Sequence, residues 1–210
     1  YGSHDQNIID KINRNIKYWD QLFKTNNSIN KNLKFLDIGS ASGYFVKGFE
    51  KCGWDSYGIE PCEKLVEDSI KNYPSISIQH STVEDADYPD NYFDFIHFWH
   101  VLEHLLEPKE VLYKIHRWLK PGGALNLGTP SPDSIIAKFY PHIKGYFDLG
   151  SEHTFIFPPQ TLINLMKEIG FEIKEHSVYS TKRSGKNYKA KIHNLLHKVF
   201  PKSVQHYQRI

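Results

Sequence analysis

The stretch Leu33-Lys34-Phe35-Leu36-Asp37-Ile38-Gly39-Ser40-Ala41-Ser42-Gly43 decides the fold. Residues 33–38 are largely apolar and too short for a helix, which predicts a strand buried on both faces. Gly39 stops it, and the small residues up to Gly43 let backbone approach a ligand closely. Helical spacing resumes at Phe45–Cys52, so the free N–H groups of a helix start face the same place. Gly53 stands at the helix C-cap, and Ser56–Glu60 reads as a second strand that Pro61 ends. Strand, helix, strand with short links is a parallel unit with a right-handed crossover.

The alternation continues outward on both sides. An amphipathic helix opens the chain, with Ile8, Ile9, Ile12, Ile16, Trp19, Leu22 and Phe23 on one stripe. Downstream the pattern predicts a helix at Glu63–Asn72, strands at Ile76–His80 and Phe93–Phe98, a helix at Pro108–Leu119 and a strand at Ala124–Gly128. Residues 130–158 are irregular and carry aromatics, as a substrate-covering segment would. A helix at Gln160–Ile169, a strand at Phe171–Ser180, a basic helix at Tyr188–Phe200 and a last strand at Val204–Ile210 complete the reading. The class is α/β around a parallel sheet.

Composition excludes several classes of function. The 210 residues suit one domain, and no run of 18 apolar residues could span a bilayer. Cys52 and Cys62 are the two cysteines, too few for a disulfide framework or a four-cysteine zinc site, and a cytoplasmic location is expected. Tyr1-Gly2-Ser3-His4 has the look of an expression-tag remnant, so the domain is taken as residues 5–210. From Thr181 to Ile210 there are eight Lys or Arg and no acid, leaving 18 basic against 24 acidic residues elsewhere. Such a tail suits an anionic partner, or is simply a solvated basic face.

The chemistry begins with Glu60, which follows Gly43 at the end of the next strand. There a carboxylate can accept hydrogen bonds from both hydroxyls of a ribose, so turn and acid together point to a nucleoside-bearing ligand. A tight turn beside a surface acid is the plainer alternative. A dinucleotide fingerprint needs Gly-x-Gly-x-x-Gly, which Gly39-Ser40-Ala41-Ser42-Gly43 lacks. His100-Val101-Leu102-Glu103-His104 has the form of a zinc-peptidase pattern, but no third ligand can be identified from the sequence.

Phe35–Gly43, Gly58-Ile59-Glu60-Pro61, Phe93-Asp94-Phe95-Ile96, Leu102-Glu103-His104 and Leu119-Lys120-Pro121-Gly122-Gly123 resemble, in order, the signature of class I S-adenosylmethionine-dependent methyltransferases. With Glu152-His153-Thr154-Phe155 and Gly170-Phe171-Glu172, the resemblance is to the small-molecule branch that includes ubiquinone-biosynthesis O-methyltransferases. It implies a Rossmann-like seven-stranded, mostly parallel sheet with helices on both faces and the last strand antiparallel. The cofactor would be S-adenosylmethionine, with S-adenosylhomocysteine as product.

Carried over by position, the resemblance makes Gly39, Ser40, Ala41 and Gly43 the loop against the methionine and ribose, with Asp37 steadying it or reaching the amino group. Glu60 takes the ribose hydroxyls, Pro61 and Cys62 border the adenine, and Thr82, Val83 and Glu84 lie beside it. Trp99 and His100 fall near the sulfonium. Ala41 replaces a usual glycine and restricts the loop to angles alanine tolerates, while Thr82 replaces a usual Asp. No metal is expected, although relatives of that branch use acids and a His here, which singles out His100, Glu103 and His104 for a divalent ion.

Methyl transfer mainly needs an acceptor held in line with the methyl carbon, and a hydroxyl acceptor gains from a base. His153 ranks first for that role and His100 second. Tyr18 and Trp19 on the opening helix, with Tyr140, Tyr146 and Phe147 in the covering segment, are candidates to wall the acceptor site, ordinary packing being the alternative. Residues 5–30 would be a lid helix, 130–158 the cover and 181–203 a basic insertion bearing Lys186, Lys189, Lys191 and Lys198. The acceptor expected is a small molecule, phosphate-bearing or a glycan precursor, with O- or N-methylation, no nucleic acid or membrane partner, and a monomer or homodimer. The alternative is a noncatalytic cofactor-binding module that docks a partner through its basic tail.

Overall fold

The computed structural model describes residues 6–26, 32–132 and 153–176. Its sheet contains β1 (Lys34–Ile38), β2 (Asp55–Glu60), β3 (Ser77–His80), β4 (Phe93–Trp99) and β5 (Leu119–Gly128), in the order β3-β2-β1-β4-β5. All four pairings are parallel. The helices are α1 (Gln6–Asn26), α2 (Tyr44–Lys51), α3 (Glu63–Asn72), α4 (Pro108–Trp118) and α5 (Pro159–Ile169), with a 3₁₀ turn at Leu102–His104. Strand order reverses between β1 and β4, and ligands of such sheets bind at that crevice, beyond the carboxyl ends of the strands.

The apolar run of β1 is buried because helices cover both of its faces. Phe35 points to one side, stacking on Phe49 at 4.0 Å and meeting Phe95 at 5.5 Å, with Ile16 and Trp54 in the same cluster. Leu36 and Ile38 point to the other and join Ile96, Phe98, Leu112, Ile115, Trp118, Met166 and Ile169. Thus α1 and α2 close one face, and α4 and α5 the other.

The stripe on α1 does what its spacing predicts. Trp19 and Phe23 lie against Phe95 at 4.9 and 5.3 Å, and Trp54 Nε1 donates to Asp20 Oδ1 at 2.8 Å. Ile16 enters a notch at Gly48, where a Cβ would come within 2.1 Å of Ile16 Cδ1, so α1 and α2 approach closely only with glycine there.

Three expectations are corrected. The described residues form five parallel strands rather than seven with an antiparallel last one. Of the strand expected at Phe171–Ser180, Phe171 makes an isolated bridge and residues 172–176 are irregular, because alternation buries side chains without supplying a ladder partner. Lastly, β5 starts at Leu119, before the predicted Ala124. Phe93 pairs with Leu119 and Phe95 with Ala124, so Lys120–Gly123 bulge out of the ladder, and Lys120 Nζ reaches Asp94 Oδ2 at 2.6 Å. The rest of the Phe171–Ser180 strand, the basic helix, the Val204–Ile210 strand, most of the covering segment with Tyr140, Tyr146 and Phe147, and Lys186, Lys189, Lys191 and Lys198 lie outside the described residues.

Candidate functional site

The turn after β1 is built from three left-handed residues in five: Gly39 (φ 75°), Ala41 (φ 45°) and Gly43 (φ 69°). Alanine was expected to restrict the loop, yet Ala41 takes the left-handed angle, at a cost of about 1–2 kcal/mol. Gly39 and Ser40 donate their backbone N–H groups to the Ile59 carbonyl at 2.9 and 3.0 Å, tying the turn to the end of β2. Gly43 N–H closes back on the Ser40 carbonyl at 2.8 Å, and Ser69 Oγ donates to the Ala41 carbonyl at 3.0 Å.

Glu60 completes this unit. Ala41 N–H donates to its Oε2 at 2.9 Å and Cys62 N–H to its Oε1 at 3.0 Å, and the residue is 6% exposed. An ionised carboxylate accepts at about four lone-pair positions, so two remain once the backbone bonds are made. Ser40 Oγ, buried in the same turn, has no hydrogen-bond partner among the described residues. A carboxylate with spare acceptors and a buried hydroxyl without a bond are what a polar ligand is needed to complete.

The other cofactor candidates are placed as follows. Pro61 and Cys62 are exposed at the end of β2, and the Pro61 carbonyl contacts His80 Nε2 at 3.0 Å. Thr82 Oγ1 bonds Asp85 Oδ2 at 2.8 Å and accepts from Asp85 N–H at 3.2 Å, so a carboxylate comes to this turn three residues later than the relatives' pattern places one. Val83 is buried in the core, whereas Glu84 is exposed and its carbonyl accepts from Lys114 Nζ.

Asp37 does not stand alone. His97, opposite it on β4, places Nδ1 2.8 Å from Asp37 Oδ1, and both residues are buried. Phe45 stacks on the His97 ring at 4.4 Å, and Trp99 lies parallel to it at 5.9 Å. The sequence reading missed His97. Its signal was an acid and an imidazole on two apolar strands, which becomes a pair only once β1 and β4 are known to be adjacent.

At the end of β4 the backbone turns sharply, with His100 at φ 56° and its N–H donating to the Gly128 carbonyl at 2.8 Å. Glu103, 1% exposed, accepts from Thr129 Oγ1 at 3.0 Å and sits 3.1 Å from His100 Nδ1. Burial pushes the Glu103 carboxyl up, but the bonds from His100, its own backbone N–H and Thr129 outweigh this and hold it below the usual range. The Glu103 carbonyl accepts from Thr154 and Phe155 N–H at 2.8 and 3.1 Å, which brings in His153. His153 is 9% exposed, its ring lies 5.0 Å from that of His104, and its buried Nδ1 has no hydrogen-bond partner among the described residues. Glu103, His104 and His153 each offer a ligand atom within 4.8 Å of the others. The ion set singled out from sequence is thereby rearranged, since His100 turns to Glu103 and His153 takes its place beside His104.

Of the acceptor candidates, Trp19 is partly buried against Phe95, which is a packing position. Tyr18 is 41% exposed and meets Trp19 edge-on at 5.2 Å; partial burial, then nearby Glu175, raises its hydroxyl pKa.

Residues 5–176 match the profile of the methyltransferase domain family. The chain belongs to that family. An uncharacterized methyltransferase of Schizosaccharomyces pombe is 28% identical over 150 residues, covering 65% of this chain and 51% of that one. A ubiquinone biosynthesis O-methyltransferase of Roseobacter denitrificans is 24% identical over 151 residues, covering 68% and 61%. The methyltransferase domain described here therefore spans between half and two thirds of the length of these relatives. Among solved structures, an S-adenosylmethionine-dependent methyltransferase from Archaeoglobus fulgidus superposes with a TM-score of 0.60 at 18% identity, covering 90% of this chain and 84% of that one. That likeness establishes the methyltransferase fold, and the cofactor of such domains is S-adenosylmethionine.

Proposed function

We propose that this domain binds S-adenosylmethionine across the β1 and β2 ends and transfers its methyl group to an O, or alternatively N, atom of a small anionic or nucleotide- or sugar-linked acceptor. The observation that carries the reading is Glu60, whose carboxylate is held by Ala41 and Cys62 N–H with acceptor capacity left for a vicinal diol. The cofactor, when bound, supplies an electrophilic methyl group on a positively charged sulfur.

The residues then divide the work. Glu60 accepts from the ribose hydroxyls, and the Gly39–Gly43 turn lies along the chain that leaves the sugar. Pro61, Cys62 and Thr82 with Asp85 border the base, Val83 supports them from the core, and Glu84 flanks the turn. Trp99 walls the sulfur end.

For the proton of a hydroxyl acceptor the geometry supports His100 ahead of His153, reversing the order read from sequence. Glu103 faces His100 Nδ1, so a buried carboxylate orients the ring and leaves Nε2 for the acceptor, the arrangement used by general bases. His153, packed on His104, serves better to shape the acceptor wall. The reading requires no metal. A divalent ion brought to this face would be held by Glu103, His104 and His153, and would polarise an acceptor oxygen.

The test is calorimetry with S-adenosylhomocysteine, followed by product detection over a panel of anionic hydroxyl and amine acceptors. Micromolar binding with methylated product is expected. A chain that binds no adenosyl ligand at millimolar concentration would sink the reading.

A further inference from the structure

His100 is one of three non-glycine residues with positive φ among the described residues, at 56°. A left-handed backbone is uncommon for a residue with a side chain, and it persists only where the surroundings fix it from more than one side. The two residues next to it in the chain do this. Trp99, the last residue of β4, pairs with Gly128 on β5, and a Cβ at Gly128 would come within 2.4–2.5 Å of three adjacent carbons of the indole. The face of the indole therefore covers the space that a side chain at 128 would fill. Val101 does the same on the other flank: its Cγ2 lies where a Cβ at Gly39 would approach to 2.4 Å, and it packs against the larger core.

Because β4 lies between β1 and β5, the residue between Trp99 and Val101 is anchored to both flanking strands, and its N–H donates to the Gly128 carbonyl at 2.8 Å. The ring is held as well as the backbone. The Trp99 and His100 rings meet edge-on with centroids 6.0 Å apart, and Glu103 Oε1 lies 3.1 Å from Nδ1. Even so, the His100 side chain is 52% exposed, so a group from solution can reach it.

We propose that Gly128 is a positioning residue for His100, acting through Trp99: the bare backbone at 128 seats the indole, and the seated indole fixes where the imidazole stands. This rests on the reading of His100 as the proton acceptor. Proton transfer needs the ring nitrogen within hydrogen-bond reach of the acceptor hydroxyl, and a misplacement of about 1 Å can lower a rate about 10²-fold. Glu103 orients the ring through one bond, but it does not set the backbone from which the ring projects. The seat at Gly128 supplies that second constraint. Gly128 lies in the ladder and is not among the left-handed glycines, so alanine there changes the space and not the backbone angle.

The test reads the χ1 angle of His100 from three-bond NMR couplings to its Cγ, after circular dichroism and thermal melts confirm folding. The wild type should show one rotamer, and Gly128→Ala and Trp99→Leu an average over several. Trp99→Phe, which keeps a flat ring over Gly128, should retain the single rotamer. In the double variant Gly128→Ala with Trp99→Leu, the added methyl has room again, so the melting temperature lost in Gly128→Ala should return while the averaging stays. Calorimetric affinity of Gly128→Ala for S-adenosylhomocysteine should remain within about twofold of wild type, since the change lies off the Glu60 side of the site. Should Gly128→Ala fail to fold, Trp99→Leu against Trp99→Phe carries the same comparison. A single His100 rotamer in Trp99→Leu and in folded Gly128→Ala, or averaging already in the wild type, overturns the proposal. Wild-type kcat in His100→Ala would instead remove the proton-acceptor reading, and the proposal with it, whatever the couplings show.

Discussion

The backbone N–H of Ala41 donates to Glu60 Oε2 at 2.9 Å, so a turn and a carboxylate 19 residues apart form one unit. Neither can be altered alone. Glu60→Gln keeps the size but exchanges one acceptor oxygen for an amide donor, which faces N–H groups that need an acceptor. Calorimetric affinity for S-adenosylhomocysteine should fall about 10–100-fold, the worth of one or two bonds to a charged group. Unchanged affinity would show that the carboxylate does not touch the sugar.

Ala41→Gly bears on the cost of the turn. A left-handed alanine costs about 1–2 kcal/mol, and glycine's greater freedom in the unfolded chain returns about 0.5–1 kcal/mol of that. Urea denaturation should show a gain of up to about 1 kcal/mol with no loss of nucleoside binding. A loss of stability would mean that the Ala41 methyl group makes contacts worth more than the strain.

His100→Ala should lower kcat about 10²–10⁴-fold if that imidazole takes the acceptor's proton, while KM for the methyl donor changes little. Glu103→Gln should lower kcat by a smaller factor, because it misorients His100 without removing it. A His100→Ala enzyme with wild-type kcat would remove the base from this position.

Glu103 also makes stability depend on pH. Its carboxyl is held below the usual value in the folded state, so its contribution is fully present above the unfolded value of about 4.3 and is lost as pH falls through the folded one. Thermal melts from pH 7 down to pH 3 should therefore fall more steeply in the wild type than in Glu103→Gln. Parallel curves would show that His100 and Thr129 do not favour the ionised form.

Gly48→Ala should destabilise by about 1–3 kcal/mol, because the added methyl meets Ile16 Cδ1. Combining it with Ile16→Ala should cost less than the sum of the two single changes. A strictly additive double mutant would mean that α1 does not press into that notch.

How much was legible in the sequence follows from which contacts are local. The run Phe35–Ile38 and the breaks at Gly39 and Pro61 fixed β1, the turn and β2, and the spacing to Glu60 placed the carboxylate at the correct strand end. His97 was invisible because its partner Asp37 is 60 residues away on another strand. The approach of His153 to Glu103 and His104 depends on backbone bonds from Thr154 and Phe155 that no periodicity encodes. The Lys120–Gly123 bulge was hidden for a related reason: a Pro-Gly-Gly stretch reads as a break, although the ladder resumes beyond it.

The seating of Ile16 at Gly48 bears on how firmly the first helix is held. Swinging α1 away would pull Ile16 from its socket and bare Phe95 beneath Trp19 and Phe23 to water, at about 1.5–3 kcal/mol for each large apolar side chain exposed. Any displacement of α1 therefore carries the cost of undocking a complete aromatic cluster, which ties the start of the chain to the strand that carries His97.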